Sequence, residues 1–148
     1  MSRAAVYDSI VNDATLQGMG FDSAHVMANY DGEQRPEIAF SEAQFMFIVI
    51  RWGGQVFDPR MFRGPWLFDV WVHMAQEYSS DFNRIDTVIE RLDDVFTNIL
   101  DTPGADGRSV TCIDLAARSK DLSDPVYQTF CKSASYKMIS RQTTTGKV

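Results

Sequence analysis

The sequence predicts an α+β domain, most simply an antiparallel sheet of about four strands with two main helices packed on one face. Three observations predict it. Two segments carry an apolar stripe at helical spacing, four others are β-branched or aromatic runs of strand length, and the order is helix, irregular segment, two strands, helix, two strands. Helices and strands that come in runs, without strict alternation, favour an antiparallel sheet with its helices on one side. A chain of 148 residues is long enough for one domain, since a domain of roughly 150 residues buries about 70% of the surface its unfolded chain exposes. The expected domain is 1–140, with 141–148 a flexible tail.

Ser2 is placed to cap the first helix, and Tyr7, Ile10, Val11 and Ala14 fall at i, i+3, i+4 and i+7 on one stripe. Gly18 and Gly20 end that pattern. The irregular segment that follows is punctuated by Asp31-Gly32 and Pro36, and "AHVMANY" within it reads as a short strand. "FMFIVIRW", Phe45 to Trp52, has the composition of a strand with a deeply buried face. "WLFDVWVHM" alternates, with Phe68, Val70, Val72 and Met74 on one face and Leu67, Asp69, Trp71 and His73 on the other.

"SSDFNRIDTVIERLDDVFTNIL" is the clearest helix. Ser79, Ser80 or Asp81 can cap it, and Ile85, Val88, Ile89, Leu92, Phe96 and Ile99 form an unbroken stripe. "DTPGADGR" stops it. "SVTCIDLAA" and "VYQTFCKSASYKMIS" read as strands joined by the turn "RSKDLSDP", a hairpin that would bring Cys112 and Cys131 near one another. The two cysteines show no metal-ligand spacing and read as buried thiols. The tail "RQTTTGKV" carries no stripe, and it is expected to fray or to be ordered only by a partner, adding extended backbone to a sheet edge.

Composition excludes several function classes. The formal charge of −6 opposes a sequence-independent grip on nucleic acid, which depends on Lys and Arg neutralising phosphates. "MSRAAVYDSIVND" lacks the apolar core of a secretory signal, so the cytoplasm is expected, and the longest apolar run, "FMFIVI", is far short of a membrane span. There is no G-x-S-x-G elbow, no phosphate-cradling G-x-x-x-x-G-K-[ST] and no G-x-G-x-x-G. "DTPGADG" fails as a calcium loop, because aligning Gly107 with the invariant glycine puts Thr102, Gly104 and Ile113 where carboxylates are needed. His73 with Asp69 on the same strand face is the one pairing that could serve base catalysis, but no nucleophile accompanies it, so local structural pairing is the favoured reading. His25 has no companions. No catalytic, cofactor or metal site is expected. The charged face of the second helix, with Asp86, Glu90, Arg91, Asp93 and Asp94, reads as a solvated surface, with the lining of a passage for a polyanion as the sharper reading.

"RWGGQVFDPRMFRGPW", Arg51 to Trp66, packs three arginines, two tryptophans and two phenylalanines into what reads as a loop of about fourteen residues, longer than the usual connection of 4 to 6. Trp, Phe, Met and Arg are the residues that carry protein–protein contacts. Trp52, Phe57, Arg60, Phe62, Arg63 and Trp66 are therefore the expected interface residues. The competing reading has Phe57, Met61, Phe62 and Trp66 folding back to seal the core.

Taken together, "AAVYDSIVNDATL", "WLFDVWVHMAQEYSSDFNRIDTVIERLDDVF" with its "D...ID.VI..L" rhythm, and "YKMIS" resemble the tail terminator proteins of long-tailed (siphovirus-type) bacteriophages. The resemblance spans nearly the whole chain and is one of architecture and rhythm; the Arg51 to Trp66 loop maps onto no shared motif. It implies a virion structural protein at the phage neck that caps the tail tube as a homo-oligomeric, six-membered ring. Such a ring ends tube polymerisation and presents a joining surface to the head-tail connector or head-closure protein. DNA passes through the ring without specific binding. Another neck component, such as a head-closure or tail-completion adaptor, is the nearer alternative, and a small cytosolic enzyme using His73 and Asp69 the more distant one.

Overall fold

Local signals set the helices. In the computed structural model, which describes residues 2–28, 36–57 and 64–142, the Ser2 hydroxyl accepts from the Ala5 amide and starts α1, Arg3–Val11. The expected continuous helix breaks at Asn12. Asp13 then caps α2, Ala14–Gly18, by accepting from the Leu16 amide. Ala14 falls in phase with the stripe of α1, so the break leaves no mark in the periodicity. The third helix, α3, spans Phe82–Thr97 with Asp81 as its cap, and Ile85, Val88, Ile89, Leu92 and Phe96 are buried as the stripe requires.

The fold class expected from sequence is corrected by the sheet. Among the described residues the chain is mostly β, 40% strand against 24% helix, with seven strands in a mixed, strongly curled half-barrel and three helices. The strands are β1 Val26–Met27, β2 Met46–Gln55, β3 Trp66–Ala75, β4 Thr102–Pro103, β5 Arg108–Arg118, β6 Leu122–Asp124 and β7 Thr129–Gln142. They run in the order β1-β2-β3-β7-β5-β4, with β6 also pairing β7. β1 lies parallel to β2 and every other pairing is antiparallel. Strands β1, β4 and β6 have two or three residues each, too short to show alternation, which is why a count from sequence stops near four.

Register fixes the two faces. Ile48, Val72, Ile50 and Val70 are cross-strand partners, as are Phe68 with Tyr136 and Val70 with Ala134. All are buried in one core with Val6, Ile10, Leu16 and the stripe of α3. Ion pairs pin α3 in place: Arg91 donates to both carboxylate oxygens of Asp13 at 3.0 and 2.6 Å, Lys132 to Asp86 at 2.8 Å, and Arg118 to Asp93. Three of the five residues of the helix's charged face, Asp86, Arg91 and Asp93, are thus paired to other elements. The expected proximity of the cysteines fails. Cys112 lies opposite Ile139 and Cys131 opposite Leu122, because β6 fills the assumed turn.

Candidate interaction surface

Two successive glycines, Gly53 and Gly54, do not end β2. The strand runs on to Gln55 opposite Trp66 through a register shift, and the Val56 amide bonds to the Pro65 carbonyl at 2.9 Å. The Gln55 side chain closes the neck by donating to the Gly64 carbonyl. The expected long loop is therefore a hairpin whose connection covers only 56–65. It leaves Phe57 75% and Val56 50% exposed, the cost of apolar area held in water.

The expected contact residues divide. Phe57 is exposed just beyond the hairpin neck, while Trp66 and Trp52 are partly buried against the core. The Trp52 indole donates to the Ala28 carbonyl, its ring meets Phe68 at 5.7 Å, and the Arg3 guanidinium lies 5.3 Å from its centre. Arg60, Phe62 and Arg63 lie outside the described residues. Arg3, with Ala4, Trp66, Asp106 and Arg108, lines a cleft of about 540 Å³ beside the hairpin neck. Arg3 has no sequence signal beyond its charge, and it is placed here by the packing of the start of α1 against β5 and Asp106.

Among the described residues, no helix covers the second face of the sheet. Phe47, Val49 and Tyr127 form a small buried cluster there, with Met27, Ile38, Phe40 and Trp71 packed against it. His73 belongs to the same layer. Its ring stacks on Phe47 at 4.8 Å and lies 5.3 Å from Tyr127, and its Nδ1 shares a 2.8 Å hydrogen bond with the Thr129 hydroxyl. Burial pushes the imidazole down to about 4, with Asp124 opposing the shift and Arg51 adding to it. Asp69 instead accepts from the Ser135 hydroxyl at 2.6 Å. Four residues along an extended strand span roughly 13 Å, so the two side chains sit too far apart to pair. Cys131 is buried and its thiol is pushed up to about 11, chiefly by burial, which suits a packing role and not a reactive one.

Among the described residues, no three His, Cys, Asp or Glu side chains converge as metal ligands. Among the same residues, no helix is long and apolar enough to cross a membrane. No protein-family model matches the chain, and no curated protein matches it in sequence.

Proposed function

We propose that this chain is a structural assembly protein, a tail terminator of the long-tailed phage type. In this reading it closes into a six-membered ring on the end of the tail tube, stops tube growth, and offers its other side to the head-tail connector or head-closure protein. The observation that carries the reading is the pair Val56 and Phe57, which stand in solvent at the end of a braced β2–β3 neck. A rigid platform that presents apolar side chains has little ordering entropy left to lose on docking. Arg3 and Arg108 beside it supply charged donors for the rim of such a contact. A ring requires two different patches that meet head to tail, and this sheet has unlike ends and unlike faces. The net charge of −6 keeps a DNA conduit from sticking to its cargo.

The test is the double variant Val56→Ser, Phe57→Ser. Both side chains are exposed, so the fold and its melting should stay as in the parent, while assembly with the cognate tail tube protein falls at least tenfold. Undiminished assembly by a folded double variant would remove these two side chains from the account.

A further inference from the structure

A pocket of about 360 Å³ opens between the end of α2, the turn before β2 and the first two turns of α3. That volume lies in the range that holds small ligands. Met19, Phe21, Phe45 and Val88 supply apolar walls, and Phe21, Phe45 and Val88 are rooted in the main core. The Gln44 side chain, also in the lining, is pinned through both atoms of its amide: it donates to the Met19 carbonyl at 3.1 Å and accepts from the Met46 amide at 3.0 Å. Gly20, at φ +94°, makes room for it, because a Cβ there would stand 2.5 Å from the Gln44 nitrogen. The pocket is therefore built into the fold. Gly18 lines it too, and a Cβ added there would meet nothing within 4 Å.

Arg84 is the one charged side chain among the described residues of the lining. Its guanidinium lies 5.3 Å from the centre of the Phe45 ring, which also stacks on Tyr78 at 5.5 Å. Among the described residues no carboxylate forms an ion pair with it. Asp81, three residues earlier, is engaged as the helix cap and accepts from the Asn83 amide at 3.0 Å, while the Thr87 hydroxyl donates to the Asn83 carbonyl at 2.8 Å. A guanidinium resting on an aromatic ring keeps its in-plane donors for a ligand, and its fork matches a carboxylate with two parallel bonds. With no second cation in the lining, the site suits a single negative charge.

We propose that this pocket binds a small apolar monocarboxylate, of the class of a medium-chain fatty acid, with its carboxylate on Arg84 and its hydrocarbon chain against Met19, Phe21 and Val88. Val88 lies one turn after Arg84 on the same side of α3, so the anchor and the apolar wall stand about 6 Å apart. Methylenes leaving water supply the affinity, and the arginine sets which end enters. Neither Val56 nor Phe57 lines the pocket, so binding here is separable from assembly.

The test is isothermal titration of the full chain with octanoate, octanol and octylamine at low salt, beside the variants Arg84→Met and Gly18→Leu. Methionine keeps an unbranched apolar stem on Phe45 and removes the charge. Leucine is a good helix former at the last position of α2, and its side chain takes up pocket space; a melting temperature no lower than the parent's shows that the variant folds. Octanoate should bind saturably with Kd below about 1 mM, and octanol and octylamine roughly tenfold or more weaker. Arg84→Met should weaken octanoate roughly tenfold and leave octanol unchanged, whereas Gly18→Leu should weaken both. No saturable binding of octanoate, octanol or octylamine binding as tightly, or full octanoate affinity in either folded variant would overturn the proposal.

Discussion

His73 shows how burial decides what a titratable side chain can do. Flanked by Phe47 and Tyr127, it is held neutral, with its folded value near 4 against an ordinary 6.5. Below pH 6.5 the unfolded chain binds a proton that the folded chain refuses, so stability falls as pH drops from 6.5 towards 4 and levels off below. The full loss is at most about 3 kcal/mol, since one unit corresponds to about 1.4 kcal/mol. Asp13 and Asp106, whose carboxyls are held below their usual range by hydrogen bonds from Arg91 and from the Ala4 amide respectively, lose their contribution only as pH falls below about 3.8. The two windows are therefore separable. Urea unfolding at stepped pH should show the drop, and His73→Phe should flatten it between 6.5 and 4. Phe68 tests the other core. It touches Trp52, Phe96 and Tyr136 and is 1% exposed; Phe68→Ala should cost about 3–5 kcal/mol in the same assay.

Helices and long strands were legible because their periodicity is local. The stripe of α3, the Ser2 cap and the alternation of β3 can all be read from the chain, and each is as expected. What could not be read depends on partners distant in sequence. Asp13 caps α2 and at the same time receives Arg91 from α3, a double use that a helical stripe running through Ala14 conceals. β6 continues the pairing of β5 along β7, so the turn comes later than the sequence suggests and the cysteines fall out of register. The apparent loop after Trp52 begins three residues later than expected, because β2 continues through Gly53 to Gln55, with Gly53 at a place where a side chain would collide with the Leu67 backbone. Gly64 is held still more tightly, against the Val56 carbonyl at the neck of the hairpin. Gly64→Ala should therefore force the neck open and cost about 1–3 kcal/mol, seen as faster exchange of the Val56 amide and a lowered melting temperature.

The molecule is a curled sheet with helices packed on one face and a braced β2–β3 neck. Seven strands pair through contacts far apart in sequence, so curl, mixed pairing and edges are properties that a single chain's composition does not announce. Of the residues expected to make contacts, Phe57 is exposed while Trp52 and Trp66 pack against the core, and Arg3, which lines the cleft beside them, carried no signal in the sequence beyond its charge. The central claim is assembly through these surfaces. It is tested most directly by the solution mass of the purified chain, alone and with its cognate tail tube protein, by light scattering over a concentration series. The account predicts a closed ring of about six copies, formed by the chain itself or on meeting tube. A monomer at every concentration, indifferent to tube, would contradict it.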